Sequence, residues 1–259
     1  MDKNSTSYTL LFAAAVCLVC GVAVASSAVG LREKQEFNKV VDRKSKVLAA
    51  AGLLPPGKVS PVSISQLYEA HVVPVAVNLK TGEVDPNVDA GTFDIQKSMK
   101  DPETSSEAPE NQAKVPRLPH VSLIYEIKKD GEVAALVLPV QGKGLWSTLY
   151  GFLALSSDTR TVQGLIFYEH GETPGLGGEV DNPLWRQRWV GRKAFDADDK
   201  PALEVVKGAA GTVEETPHQV DGLSGATITS RGVTHLVRFW LGEHGYGPTL
   251  KSYRTSSKD

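Results

Sequence analysis

No charged residue occurs between Lys3 and Arg32, and the apolar part of that stretch, Leu10 to Leu31, is long enough to cross a bilayer as one helix. The pattern predicts a transmembrane span over 10–31 behind a short tail at 1–9. Beyond it, Phe37, Val40, Val41, Val47, Leu48 and Ala51 recur at helical spacing, which predicts a juxtamembrane helix over 32–56, stopped by Gly52 and the pair Pro55-Pro56. A cleaved signal peptide is the competing reading, because Ala23-Val24-Ala25 and Ala25-Ser26-Ser27-Ala28 resemble cleavage sites. Lys3 alone is a thin basic flank and the apolar run exceeds a usual leader, so an uncleaved anchor is favoured.

The remainder, 57–250, is patterned as one globular domain with a flexible tail at 251–259. Ser65 to His71 reads as a short helix and Val72 to Leu79 as a strand interrupted by Pro74, closed by the Thr81-Gly82 turn. Residues 83–119 are acidic, rich in Pro, Ser and Asp and short of large apolar side chains, and read as a long surface excursion. After His120 the pattern turns to strands. Val121–Ile127 and Glu132–Val140 flank a turn ending in Asp130-Gly131, and Leu149–Leu155 and Val162–Tyr168 flank Ser156–Arg160, which predicts two antiparallel hairpins. Asp181-Asn182-Pro183 opens a helix carrying Trp185 and Trp189, and Leu203–Lys207 is a strand. From Gly232 to Leu241, Val233, Leu236, Val237, Trp240 and Leu241 form one apolar helical face. The class is α+β, an antiparallel sheet with flanking helices behind a single transmembrane helix.

Charge and cysteine content change this picture little. A net charge of −2 gives no reason to expect nucleic acid. Cys17 and Cys20 both lie inside the apolar run, which leaves the soluble part without a disulfide or a thiolate metal site. Their C-x-x-C spacing suits redox or metal chemistry, but in lipid such residues act as small apolar side chains. Cys20 follows the bulky Val19, which argues against a lipoprotein.

The chemistry concentrates just before the last amphipathic helix, in Asp221-Gly222-Leu223-Ser224-Gly225-Ala226-Thr227-Ile228-Thr229-Ser230. Small residues let a ligand approach the backbone, and unpaired amides with a positive dipole end favour phosphate at a helix N-terminus. The plain alternative is that Thr227, Thr229 or Ser230 is only an N-cap. Asp221, Ser224, Gly225, Ala226 and Thr227 resemble the flavinylation motif Asp-x-x-Ser/Thr-Gly-Ala-Thr, in which a dedicated flavin transferase esterifies the phosphate of FMN onto the last threonine. With the apolar N-terminal segment and His170-Gly171-Glu172-Thr173-Pro174-Gly175-Leu176-Gly177, the chain resembles the C subunits of the bacterial sodium-translocating NADH:quinone oxidoreductases over nearly its whole length.

That resemblance implies one covalent FMN per chain, held through Thr227. It implies further flavin contacts at Asp221, Ser224, Gly225, Ala226, Leu145, Trp146, Ser147, Glu172, Thr173, Leu176, Gly177 and Lys207. Read without it, Trp146 is a packed aromatic after a glycine-rich loop and Lys207 a strand-end surface lysine. Gly175-x-Gly177 lacks the third glycine of a dinucleotide fingerprint, and His170 with Glu172 is too few ligands for a metal.

The function implied is electron transfer in an inner-membrane complex that oxidises NADH, reduces ubiquinone and pumps sodium. The other membrane subunits and, during maturation, the flavin transferase would be partners. One span and no dinucleotide fingerprint mean that the isolated chain would neither oxidise NADH nor pump. The resemblance places the large domain in the periplasm, whereas Arg32, Lys34, Lys39, Arg43, Lys44 and Lys46 after the span, against Lys3 before it, would place it inside. Three other readings stand beside this one. The first is the flavin subunit of an Rnf-type ferredoxin:NAD oxidoreductase, and the second a membrane-anchored binding or assembly module with no cofactor. The third is a serine hydrolase on Gly222-Leu223-Ser224-Gly225-Ala226, which departs from the nucleophile elbow at Ala226.

Overall fold

A computed structural model describes residues 5–55 and 57–256, and the chain divides after Arg43 into two units. Helix α1 runs from Thr6 to Ala50. It starts upstream of the predicted span because Ser5 Oγ accepts from Tyr8 N at 3.2 Å, an N-cap bond, so the expected tail is helical from Thr6. Residues 1–4 of that tail lie outside the described residues. Among these, α1 is the one helix long and apolar enough to cross a membrane, its most apolar 18-residue stretch having a mean hydropathy of 2.4. It stops where Gly52 takes φ +71 and Leu53 N reaches back to Leu48 O at 2.9 Å, a glycine-terminated helix end.

The second unit is built on a five-stranded antiparallel sheet. Its strands lie side by side in the order β1 (Val72–Asn78), β4 (Val121–Lys129), β5 (Glu132–Lys143), β6 (Thr148–Ser156) and β7 (Val162–Glu169). Helix α2 (Pro61–His71) starts earlier than the pattern indicated, at Pro61, because Ser60 caps it by accepting from Ser63 N. It leads directly into β1, an edge strand, which is why Pro74 is tolerated there. Strands β4 and β5 turn at Asp130 and Gly131, both at positive φ, and β6 and β7 complete the meander.

Between β1 and β4 the acidic excursion carries regular structure of its own. Helix α3 (Ile95–Lys100), capped by Asp94, is followed by a small antiparallel pair, β2 (Ser105–Glu107) with β3 (Arg117–Pro119). Composition hid the bonds that hold it. Arg117 donates to Ser105 Oγ and O at 2.8 and 2.7 Å, and Asn111 Oδ1 accepts from Val115 N, which lets Met99, Ala113 and Val115 enter the main core.

After β7 come a 3₁₀ turn (Gly177–Asp181) and α4 (Pro183–Gln187), capped by Asn182. A two-residue parallel pair follows, β8 (Glu204–Val205) with β9 (Gln219–Val220), and then α5 (Thr227–Leu241) and α6 (Gly247–Ser256). Trp185 and Trp189 are buried, as expected. Helix α6 overturns the expectation of a flexible tail. Its Arg254 donates to both carboxyl oxygens of Asp199 at 3.1 Å and lies over Phe195, while Tyr253 Oη donates to Glu126 Oε1. Of the expected tail, 257–259 fall outside the described residues.

Helix α5 positions the site. Val233, Leu236, Val237, Trp240 and Leu241 are all buried against the sheet, and Trp240 Nε1 donates to Gln141 O at 2.7 Å. Gly232 allows the close approach, since a β-carbon there would stand 2.4 Å from Lys143 O. The second turn of α5 is thereby pressed onto the end of β5, beside the loop that carries Trp146.

Candidate functional site

The motif segment 221–226 makes a tight turn onto α5, with Gly225 at φ +69 and Ala226 as N-cap. Ala226 offers no side-chain acceptor, so no side chain caps the first amides of the helix. None of the candidate hydroxyls is the cap. Thr229 donates from Oγ1 to Glu172 Oε2 at 2.6 Å, and Ser230 Oγ accepts from Leu223 N at 3.1 Å, both buried. Thr227, at the first helical position, and Ser224 are exposed. Of the hydroxyl cluster, two members hold the fold and two face outward beside free helix amides.

Two loops form the neighbouring walls. In the β5–β6 loop, Leu145 and Trp146 project into solvent, Trp146 being 67% exposed. Their backbone is fixed by Glu172, whose carboxylate accepts from Leu145 N, Trp146 N and Ser147 N at 3.2, 3.0 and 3.2 Å. Ser147 Oγ in turn accepts from Gly171 N at 2.6 Å. In the 170–178 loop Thr173 and Leu176 are exposed, Gly177 is buried, and Leu176 Cδ2 lies 2.8 Å from where a β-carbon of Gly225 would be. The exposed apolar side chains Leu145, Trp146, Leu176 and Ile228 come from the β5–β6 loop, the 170–178 loop and the first turn of α5.

A cavity of about 520 Å³ opens beside Thr227, lined also by Lys207, Gly208, Gly222, Leu223, Ser224, Ser230 and Arg231. Lys207 therefore shares a wall with the acceptor candidate. Arg231, one helical turn after Thr227, was missed in the sequence, although the i, i+4 spacing on α5 would have found it. It also lines a second cavity of about 370 Å³ on the other side of the helix start, with Lys114, Lys143, Gly144, Ile228 and His235. Burial of His235, together with the charges of Arg238 and Arg231, holds its imidazole below the ordinary histidine range. The region around Thr227 is thus rich in cationic and free amide groups.

Not every expected residue faces this cavity. Asp221 is used internally: Oδ1 accepts from Ala210 N at 2.9 Å, Oδ2 pairs with Arg188 at 3.3 Å, and its carbonyl accepts from Trp185 Nε1. Ala226 is buried under the turn. Glu172 is 5% exposed, with its carboxylate committed to four protein donors. His170 pairs with Asp181 at 2.9 Å, away from the Glu172 carboxylate.

Residues 144–242, which contain the two loops, the motif turn and α5, match the family of FMN-binding domains. The C subunit of the Na(+)-translocating NADH-quinone reductase of Vibrio anguillarum is 43% identical over 98% of this chain and 97% of its own. The Pseudomonas aeruginosa protein of the same name is 44% identical over 98% of both. The crystal structure of Shewanella oneidensis NqrC superposes with a TM-score of 0.77 at 34% identity, covering 86% of this chain and 99% of that one. A second crystal structure, the C subunit from Parabacteroides distasonis, gives 0.66 at 28%, covering 85% of this chain and 96% of that one. The protein is an FMN-binding-domain protein with one N-terminal apolar helix that fits a single-pass membrane anchor. More narrowly, the chain belongs to the NqrC family, the C subunits of the Na(+)-translocating NADH-quinone reductases.

Proposed function

We propose that this chain carries one FMN esterified through its phosphate to Thr227, and relays electrons in a membrane complex that oxidises NADH, reduces ubiquinone and pumps sodium. The observation that carries the reading is the state of Thr227: an exposed hydroxyl on an uncapped helix start, in a chain whose neighbouring hydroxyls, Thr229 and Ser230, are already bonded.

The residues fit the group. A threonyl phosphodiester is an anion, and the free amides of α5, its dipole, Lys207 and Arg231 supply the opposing charge. The exposed Leu145, Trp146, Leu176 and Ile228 offer apolar surface to an aromatic ring, a shelf for it beside the helix start. Flavin supplies the redox chemistry when bound, and the protein holds it, tunes it and keeps it from being lost. Joining a hydroxyl to a phosphate by loss of water is unfavourable in water, so the donor must be an activated flavin phosphoanhydride. Thr227 Oγ1 forms the new O–P bond, the anhydride bond breaks, a nucleoside monophosphate leaves, and the hydroxyl proton passes to a base on the transferase.

Neither NADH oxidation nor ion pumping is expected of the isolated chain. The other membrane subunits are its electron partners, the flavin transferase its maturation partner, and the large domain lies in the periplasm. Membranes from a strain lacking this protein should regain sodium-stimulated NADH:quinone reduction with the wild-type chain and not with Thr227→Ala. Equal recovery with both would reject the relay.

A further inference from the structure

We propose that Glu172 is a positioning residue, a buried clasp that fastens both loop walls of the site to the first turn of α5 and so sets where Thr227 stands relative to the ring shelf. This rests on the flavin-attachment reading above, and departs from the role that the resemblance implied, a direct flavin contact.

A carboxylate buried to 5% exposure is costly unless it is fully hydrogen-bonded. Here every partner is a neutral donor. Oε1 accepts from Trp146 N and Ser147 N, and Oε2 from Leu145 N and from Thr229 Oγ1 at 2.6 Å, across 57 residues of chain. Burial by itself raises the Glu172 carboxyl; the bonds from Thr229 and the three amides outweigh it and hold the group below the ordinary range. Room for the carboxylate comes from two glycines, one in each loop. A β-carbon on Gly144 would stand 2.6 Å from Oε1, and one on Gly177 would stand 2.7 Å from Oε2 and 2.6 Å from Thr229 Oγ1.

What the clasp joins decides its role. Thr229 lies two residues beyond the acceptor threonine, the amides belong to the loop bearing Leu145 and Trp146, and Glu172 adjoins Thr173. The hydrophobic core reaches α5 further along, through Val233, Leu236, Val237, Trp240 and Leu241, and does not depend on this bond. Breaking the clasp should loosen the site walls and leave the core in place.

The test uses the full-length chain with co-expressed flavin transferase, in wild type, Glu172→Gln, Thr229→Val and Thr229→Ser. Covalent flavin is followed by intact mass against time, and the loaded fraction by the visible circular dichroism of its flavin. Loss of one hydrogen bond to a charged group should slow loading in Thr229→Val and Glu172→Gln by about tenfold. It should also alter the visible circular dichroism, while the far-ultraviolet spectrum is kept. Thr229→Ser, which restores the donor, should restore both signals. Should Glu172→Gln fail to fold, the near-isosteric Thr229→Val decides alone. Wild-type loading and dichroism in Thr229→Val would overturn the clasp while leaving attachment at Thr227 intact, and equal slowing in Thr229→Ser would overturn it too. No flavin on the wild type would remove the attachment reading itself, and the clasp with it.

Discussion

Leu176 rests on Gly225: its Cδ2 stands 2.8 Å from where a β-carbon on that glycine would be, and Gly225 itself sits at φ +69. The glycine of the motif is therefore demanded twice, by its backbone angle and by a side chain arriving from the 170–178 loop. Gly225→Ala should cost about 1–3 kcal/mol of stability from the strained angle and the displaced leucine. Covalent flavin should accumulate more slowly as well, because Leu176 is part of the shelf. Chemical denaturation and intact mass of the same preparation check both, and an unchanged loading rate would detach Leu176 from the site.

Trp146 differs from the other tryptophans, since Trp185, Trp189 and Trp240 are buried while Trp146 is 67% exposed. Acrylamide should quench a fluorescence component in the flavin-free chain that vanishes in Trp146→Phe. In the flavin-loaded chain the same component should already be quenched by the ring. Replacing an exposed side chain should change stability by no more than about 0.5 kcal/mol. A component that stays bright after loading would mean the ring lies elsewhere.

Acid should expose the contribution of Glu172. Its carboxyl is held below the ordinary range in the folded protein, so the stability it contributes is complete above the unfolded value, about 4.3 for a free glutamate, and is lost as pH falls through the folded value. The melting temperature of the wild-type chain should fall more steeply below about pH 4.3 than that of Glu172→Gln. Parallel curves would show that the carboxylate is not ionised where it sits.

Orientation separates the charge rule from the family. Ser106 is exposed on β2. In a chain with Cys17 and Cys20 replaced by Ala, Ser106→Cys should react with a membrane-impermeant maleimide in intact spheroplasts. Labelling only after lysis would place the domain inside, as Arg32, Lys34 and Arg43 on their own would have it.

How far the sequence reached depended on how local the cause was. The Asp130-Gly131 hairpin and the buried face of α5 were legible because neighbours a few residues apart decide them. The role of Thr229 beside Thr227 was not, since it hangs on Glu172 arriving from 57 residues away. The same holds for the C-terminal helix, which looks like a polar tail until Asp199 and Phe195 receive Arg254. The internal structure of the acidic excursion was hidden for a related reason: its order comes from Arg117 and Asn111 bonding to backbone, and composition carries no trace of such bonds.

The most direct measurement is intact mass with in-gel flavin fluorescence on the denatured chain, wild type and Thr227→Ala, each made with the flavin transferase. The wild type should be fluorescent, heavier by FMN less water, with the gain on the peptide containing Thr227. Thr227→Ala should be dark, with unshifted mass and a native far-ultraviolet spectrum, since only the hydroxyl and γ-methyl of an exposed side chain are removed. A Thr227→Ala chain that still gains the flavin mass, or a wild type that never does, would contradict the account.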